Sequence, residues 1–183
     1  RTKTVYFVYS GEVMLYNLTK HGNRKVIFIL GKGQLLNQSI VSKKPNALFC
    51  EATCPVKVIE IAEEQFLQLM EQSHALTRAV LREYERNLWR MGHQLKNTTG
   101  NMQMERKIAA KLWKLGRDFG VDTEDGVMID IDLTITLMAD LVGAPRENVS
   151  RACKVLTDRG LIRYGNKRFT LTDSDGLADF YKM

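Results

Sequence analysis

The spacing of apolar residues changes character near Ala62, and the two halves cannot share one kind of secondary structure. From Thr4 to Ile61 the chain runs in short β-branched and aromatic stretches, TVYFVYSGEVMLYNL, HGNRKVIFIL, GKGQLL and CPVKVIEI, broken by turn residues. Such runs predict strands and a small all-β barrel or jelly roll over residues 1–72. Lys20-His21-Gly22-Asn23 suits a hairpin loop, and Gly31-Lys32-Gly33 a second bend. Beyond Ala62 the period is helical: EEQFLQLMEQ predicts a short helix, and a long one follows Ser73 to about Lys96. The expected class is α+β. The opening RTKTVYFVYSGEV reads as a strand already under way, so an upstream portion of the β domain is expected.

Within the long helix, Leu81, Tyr84, Leu88, Met91 and Leu95 recur at spacings of 3, 4, 3 and 4, flanked by Arg82, Glu83, Glu85, Arg86 and Arg90. That narrow stripe fits the seam of a two-stranded coiled coil, hence a homodimer; a single helix lying on the β domain would also satisfy it. NTTGN at 97–101 is the polar break after it, so residues 73–100 read as dimerisation helix and hinge.

Residues 101–183 predict a third region. MERKIAAKLWKLGRDFG is amphipathic, with Ile108, Leu112, Leu115 and Phe119 inward and Gly120 as its stop, and VMIDIDL predicts a strand. Thr134 can cap a helix ITLMADLV that Gly143 ends, and Pro145 suits the first position of the next helix, to about Arg159. GLIRYGNKRFTLTD alternates and turns at Gly165-Asn166, a hairpin, before a short final helix. Two short helices joined at a glycine and followed by a hairpin describe a winged helix-turn-helix. Arg146, Glu147, Ser150 and Arg151 then share one face of the second helix, while Val149, Val155 and Leu156 point to the core. Arginine can fork onto guanine O6 and N7, glutamate can accept from the cytosine amino group, and serine can serve base or phosphate. Lys154 on the helix and Lys167 and Arg168 on the wing add phosphate contacts.

Between Thr134 and Thr172 seven basic residues stand against three acidic, and the whole chain carries a net charge of +6. Double-stranded DNA is the partner this balance fits. The rival reading is a ligand-sensing protein that acts through protein contacts. No apolar run is long enough to span a bilayer, and three cysteines without dense spacing suit a reducing cytoplasm. No Gly-rich phosphate loop, H-E-x-x-H helix or Gly-x-Ser-x-Gly elbow is present, so an enzyme is not expected.

The order of elements, and above all ITLMADLVGAPRENVSRACKVLTDRGLIRYGNKRFTL, resembles the Crp/Fnr superfamily of bacterial transcription regulators. The resemblance implies a cyclic-nucleotide-binding-type barrel, a dimerisation helix and a winged helix. Arg-Glu-x-x-x-Arg places base readers at Arg146, Glu147 and Arg151, and Glu-x-x-Ser-Arg adds Ser150; Thr136 matches a phosphate contact. The resemblance also implies that Glu147 and Arg151 share a G·C pair. RDFGVDTEDG matches in position a surface that touches RNA polymerase.

In the sensing half, Asn37-Gln38 and Asn46-Ala47 stand where cyclic-AMP-binding members carry Gly-Glu and Arg-Ser, and the adenine-facing hydroxyl pair falls near Met91-Gly92-His93. Asn37, Gln38, Met91 and Gly92 are thus the candidate effector residues, for a small molecule other than cyclic AMP. An iron–sulfur cluster needs more cysteines than Cys50, Cys54 and Cys153, and a haem would have only scattered His74 or His93 as ligand. Cys50 and Cys54 could form a redox pair on one strand face or be small core residues. No metal site is expected.

Overall fold

The computed structural model describes residues 3–20, 22–42, 45–98 and 102–182, with side chains except at 96–98. The chain forms two compact units, Arg1–Lys96 and Asn97–Met183. That division falls inside the stretch expected to be helix and hinge. NTTGN lies largely outside the described residues.

In the first unit, β1 (Thr4–Ser10) pairs antiparallel with β5 (Lys57–Ala62), while β2 (Val13–Leu18) lies between β3 (Arg24–Leu30) and β4 (Phe49–Ala52). The β2–β3 hairpin closes as expected: Thr19 N donates to Asn23 O at 2.9 Å, and Gly22 has a φ of 77°. GKGQLL departs from expectation. It makes a bend and one bridge, Phe7 to Leu35, because the Gln34 side chain accepts from Gly31 N and folds the segment back. Val8, Val13, Leu15, Phe28 and Leu30 fill one core. A second comprises Val5, Leu35, Ile40, Phe66 and Val80, which joins α1 (Glu63–Gln72) and α2 (His74–Thr98) to the β domain.

That packing divides α2 lengthwise. Val80, Glu83 and Arg90 are buried, whereas Leu81, Leu88 and Leu95, one heptad apart, are 54, 72 and 64 % exposed. Tyr84 leaves the expected stripe: it packs on the second core, and its hydroxyl donates to Asn37 O at 3.4 Å. One face of α2 thus lies on the β domain, as one of the two sequence alternatives has it, and the opposite face carries the exposed leucines.

In the second unit, α3 (Met104–Phe119) buries Ile108, Leu112 and Leu115 as its periodicity predicts, whereas Phe119, expected inward, is only half-buried at the helix end. Residues Gly120–Thr123 form β6, paired with β7 (Gly126–Ile129), and β9 (Arg168–Leu171) and β8 (Ile162–Gly165) extend the sheet. VMIDIDL pairs only as far as Ile129; Ile131 and Leu133 continue inward without a ladder partner. Gly126 must be glycine: its φ is 120°, and a Cβ there would run into Leu171 O. Helix α6 (Ser174–Lys182) packs on α3.

Candidate nucleic-acid interface

The two helices of the motif are set by local chemistry. Thr134 caps α4 (Ile135–Val142), its hydroxyl accepting from Leu137 N at 3.1 Å. Gly143 ends α4 in the left-handed region, φ 70°, and its N–H bonds to Ala139 O at 2.8 Å. Helix α5 (Arg146–Asp158) then starts at Arg146, one residue later than expected. Pro145 is its cap, with a ψ of 141° and a carbonyl that accepts from Asn148 N and Val149 N. Proline costs nothing here, since the N–H it lacks would have no helical partner.

Helix α5 buries Val149, Ala152, Cys153 and Leu156. Val155, expected inward, is 36 % exposed, because it falls on the flank between the buried rows. Arg146, Glu147, Ser150, Arg151 and Lys154 are all exposed, as is Thr136 on α4. Burial holds the Cys153 thiol at a pKa of about 11, so it is a neutral core group. Arg146, Glu147, Ser150 and Lys154 have no ion pair or side-chain hydrogen bond among the described residues, and stand with their capacity unspent. Arg151 is already oriented: Nη2 donates to Asn148 Oδ1 at 2.6 Å and Nε to Glu147 O at 3.4 Å. The sequence gives no sign of Asn148, whose spacing carries no signal; only the rotamer of Arg151 reveals it.

The wing requires a correction. Its turn is centred on Asn166 and Lys167, with φ of 50° and 59°, and not on Gly165. Two consecutive left-handed residues make a type I′ turn, whose twist suits a two-residue hairpin. Lys167 is thereby carried on the tip, exposed, while Leu133 N donates to its carbonyl at 2.7 Å. Arg168 is not a spare cation. Its guanidinium pairs with Asp130 and lies 3.9 Å from Asp132, so it ties β9 to the end of β7. Arg163 is likewise held by Asp125 at 2.6 Å, and Arg159 lies over the Phe180 ring at 4.9 Å. The three aspartates precede Thr134, so the charge balance between Thr134 and Thr172 overstates the open positive charge.

In the sensing unit the candidate effector residues separate. Asn37 is buried and bonded through both amide atoms: Oδ1 accepts from Tyr6 N at 2.8 Å and Nδ2 donates to Thr4 O at 3.0 Å, which makes it a stand-in for a strand neighbour of β1. Gln38 is a clip. Its Oε1 accepts from Ala47 N and Leu48 N at 3.0 and 3.1 Å, its Nε2 donates to Leu36 O, and its own N–H donates to Asn46 Oδ1. Met91 and Gly92 are exposed on α2, and no hydrogen bond among the described residues ties them to Asn37 or Gln38. An apolar pocket opens elsewhere in this unit, with Phe7, Leu35, Leu76, Val80 and Glu83 among its walls.

Cys50 is exposed on β4, whereas Cys54 lies beyond the end of that strand, so the two do not share a strand face. Cys54 donates to Glu12 Oε2 at 2.9 Å, and the carboxylate beside it raises the thiol above its usual range. His93 packs tilted against Trp89 with centroids 3.7 Å apart, and among the described residues no group of three His, Cys, Asp or Glu could hold a metal ion. Among the described residues no helix is long and apolar enough to cross a membrane.

Comparison with known proteins gives two family matches: a cyclic nucleotide-binding domain over residues 1–73 and a Crp-like helix-turn-helix domain over 106–180. The chain is 25% identical over 175 residues to a CRP-like cAMP-activated global transcriptional regulator of Mycobacterium tuberculosis, covering 95% of this chain and 78% of that protein. It is 25% identical to the global nitrogen regulator of a Nostoc species, over 91% of this chain and 76% of that one. The fold matches FixK2 from Bradyrhizobium japonicum with a TM-score of 0.81 at 20% identity, covering 97% of this chain and 86% of that one.

The first family implies a cyclic nucleotide, and the described residues of 36–48 do not fit one. A cyclic phosphate requires donors, preferably cationic, facing an open cradle. Here the N–H groups of Ala47 and Leu48 are taken by Gln38, Asn46 is engaged through its acceptor, and Asn37 is sealed against β1. On α5, by contrast, Arg146, Glu147, Ser150, Arg151 and Lys154 stay exposed. The chain belongs to the Crp/Fnr family of DNA-binding transcription regulators, with a cyclic-nucleotide-binding-type sensing domain and a winged helix-turn-helix.

Proposed function

We propose that this regulator acts as a homodimer on an inverted repeat, each α5 entering the major groove of one half-site. Residues 1–72 serve as the sensing domain, 73–100 as dimerisation helix and hinge, and 101–183 as the reading domain. The exposed row Leu81, Leu88 and Leu95, with Met91 at its flank, supplies the seam; Tyr84 supports it from the core side. Two-fold pairing would set the recognition helices roughly 34–36 Å apart, one turn of DNA. Arg151 and Glu147 read a G·C pair, Arg146 a guanine or a phosphate, and Ser150, Thr136, Lys154 and Lys167 complete the backbone contacts. The segment 117–126, from the end of α3 to the start of β7, is the surface offered to RNA polymerase. The signal is an effector other than cyclic AMP, or a redox change, sensed by the first unit and passed along α2. The chain catalyses no reaction.

The exposed, ion-pair-free face of α5 is the observation that carries this reading. It is tested by selecting a half-site from a palindromic library and measuring Arg151→Ala on it at fixed salt. Removing one bidentate pairing should cost about 1 to 3 kcal/mol on the selected sequence and much less on random duplex. Equal affinity of variant and parent for the selected site would refute the assignment.

A further inference from the structure

Arginine has several rotatable bonds, and ordering such a side chain on binding weakens association by roughly twofold to tenfold. On α5 this ordering is done in advance for Arg151. Asn148 lies one turn before it, and its Oδ1 accepts from Arg151 Nη2 at 2.6 Å. Next to it along the guanidinium Nε donates to the Glu147 carbonyl at 3.4 Å. A guanidinium has five N–H donors in one plane. These two bonds use one from Nε and one from Nη2, which leaves the second Nη2 hydrogen and both on Nη1. In the end-on geometry a guanine edge takes one hydrogen from each of the two Nη atoms. The fork is therefore braced along its side without losing the end that reads.

Resting on the assignment of Arg151 as a base reader, we propose that Asn148 is a positioning residue that pre-orients the Arg151 guanidinium for guanine. Asn148 itself is half-buried at the base of the exposed face, and its Nδ2 has no partner among the described residues. Val149, its neighbour, is fully buried and anchors the turn that carries it. The brace acts on sequence discrimination, since random duplex offers no guanine edge in register for the fork to meet.

A double-mutant cycle tests this with the full chain. Dissociation constants of the parent, Asn148→Ala, Arg151→Ala and the double variant are measured at fixed salt on the selected duplex and on one with the assigned G·C pair replaced. The quantity read is the ratio of the two constants. Asn148→Ala should lower it by roughly twofold to tenfold when Arg151 is present and leave it unchanged when Arg151 is absent. Asn148→Asp keeps the acceptor and should restore the ratio, because its added charge weakens both duplexes alike. An equal fall in the Arg151→Ala background would make Asn148 a reader in its own right and overturn the proposal. So would an unchanged ratio with Arg151 in place. If Arg151→Ala alone leaves the ratio intact, the reading of α5 falls, and this proposal with it.

Discussion

The first turns of α5 and the segment 36–48 are both short polar stretches to which the sequence assigns a binding role, yet their hydrogen bonds run in opposite directions. Along α5, Arg146, Glu147, Ser150 and Lys154 face outward with no partner among the described residues. Along 36–48, Asn37 and Gln38 turn their amides onto the backbone of their own unit. The difference teaches how to separate a recognition surface from structural polarity. An exposed donor left open exchanges water for ligand at little loss, whereas a buried amide already paired must break its bonds first.

The largest effect expected is on stability at Asn37. Asn37→Ala leaves Tyr6 N and Thr4 O without these partners in the first unit, and two unpaired groups at about 1 to 3 kcal/mol each predict a loss of roughly 2 to 6 kcal/mol in urea unfolding. Ser150→Ala, on the open face, should move the same transition by less than about 0.5 kcal/mol. Equal losses at the two sites would erase the contrast.

Gln38→Ala comes next. It frees Ala47 N and Leu48 N near the surface, where water replaces part of the missing pairing, so about 1 kcal/mol is expected, with faster amide exchange confined to that turn.

The wing sharpens the comparison on the DNA side. Lys167→Ala should reduce the slope of log affinity against log salt by about 1, the share of a single neutralised phosphate. Arg168→Ala, whose charge is held by Asp130 and Asp132, should leave that slope nearly unchanged. A drop at Arg168 as large as that at Lys167 would mean that its ion pairs open on DNA.

The smallest effect is at Cys153. Its folded-state thiol pKa, about 11, lies above the ordinary value of 9.0, so the folded form holds its proton more tightly. The resulting stability is complete below pH 9 and declines as pH rises toward 11. Thiol labelling near neutral pH should therefore modify exposed Cys50 well before Cys153, and a Cys153→Ala variant should lose less stability than the parent across that alkaline range.

Much of the molecule was legible in one dimension. EEQFLQLMEQ corresponds to α1 residue for residue, the cap at Thr134 and the left-handed stop at Gly143 stand as expected, and the buried rows of α3 follow their period. These features depend on neighbours within a turn or two, which the chain displays directly. The α5 face is legible for the same reason, except at Val155, where helical phase alone misjudged a flank. The brace of Arg151 by Asn148 is local too, but it depends on a rotamer, which no spacing encodes.

Pairings distant in the chain escaped. Arg163 and Arg168 meet aspartates 38 residues earlier, because β7 happens to pair beside β9. Tyr84 turns to a core assembled from β1, α1 and the bend at Leu35. Asn37 is silenced by a strand 31 residues upstream. Local periodicity and capping chemistry thus decided which helices and strands exist and which face of α5 is polar, since those follow from backbone geometry and burial along a single element. Which charges and amides stay available to a partner was decided by the fold, because a hydrogen bond or ion pair is spent on whatever group packing brings within about 3 Å, wherever that group lies in the chain.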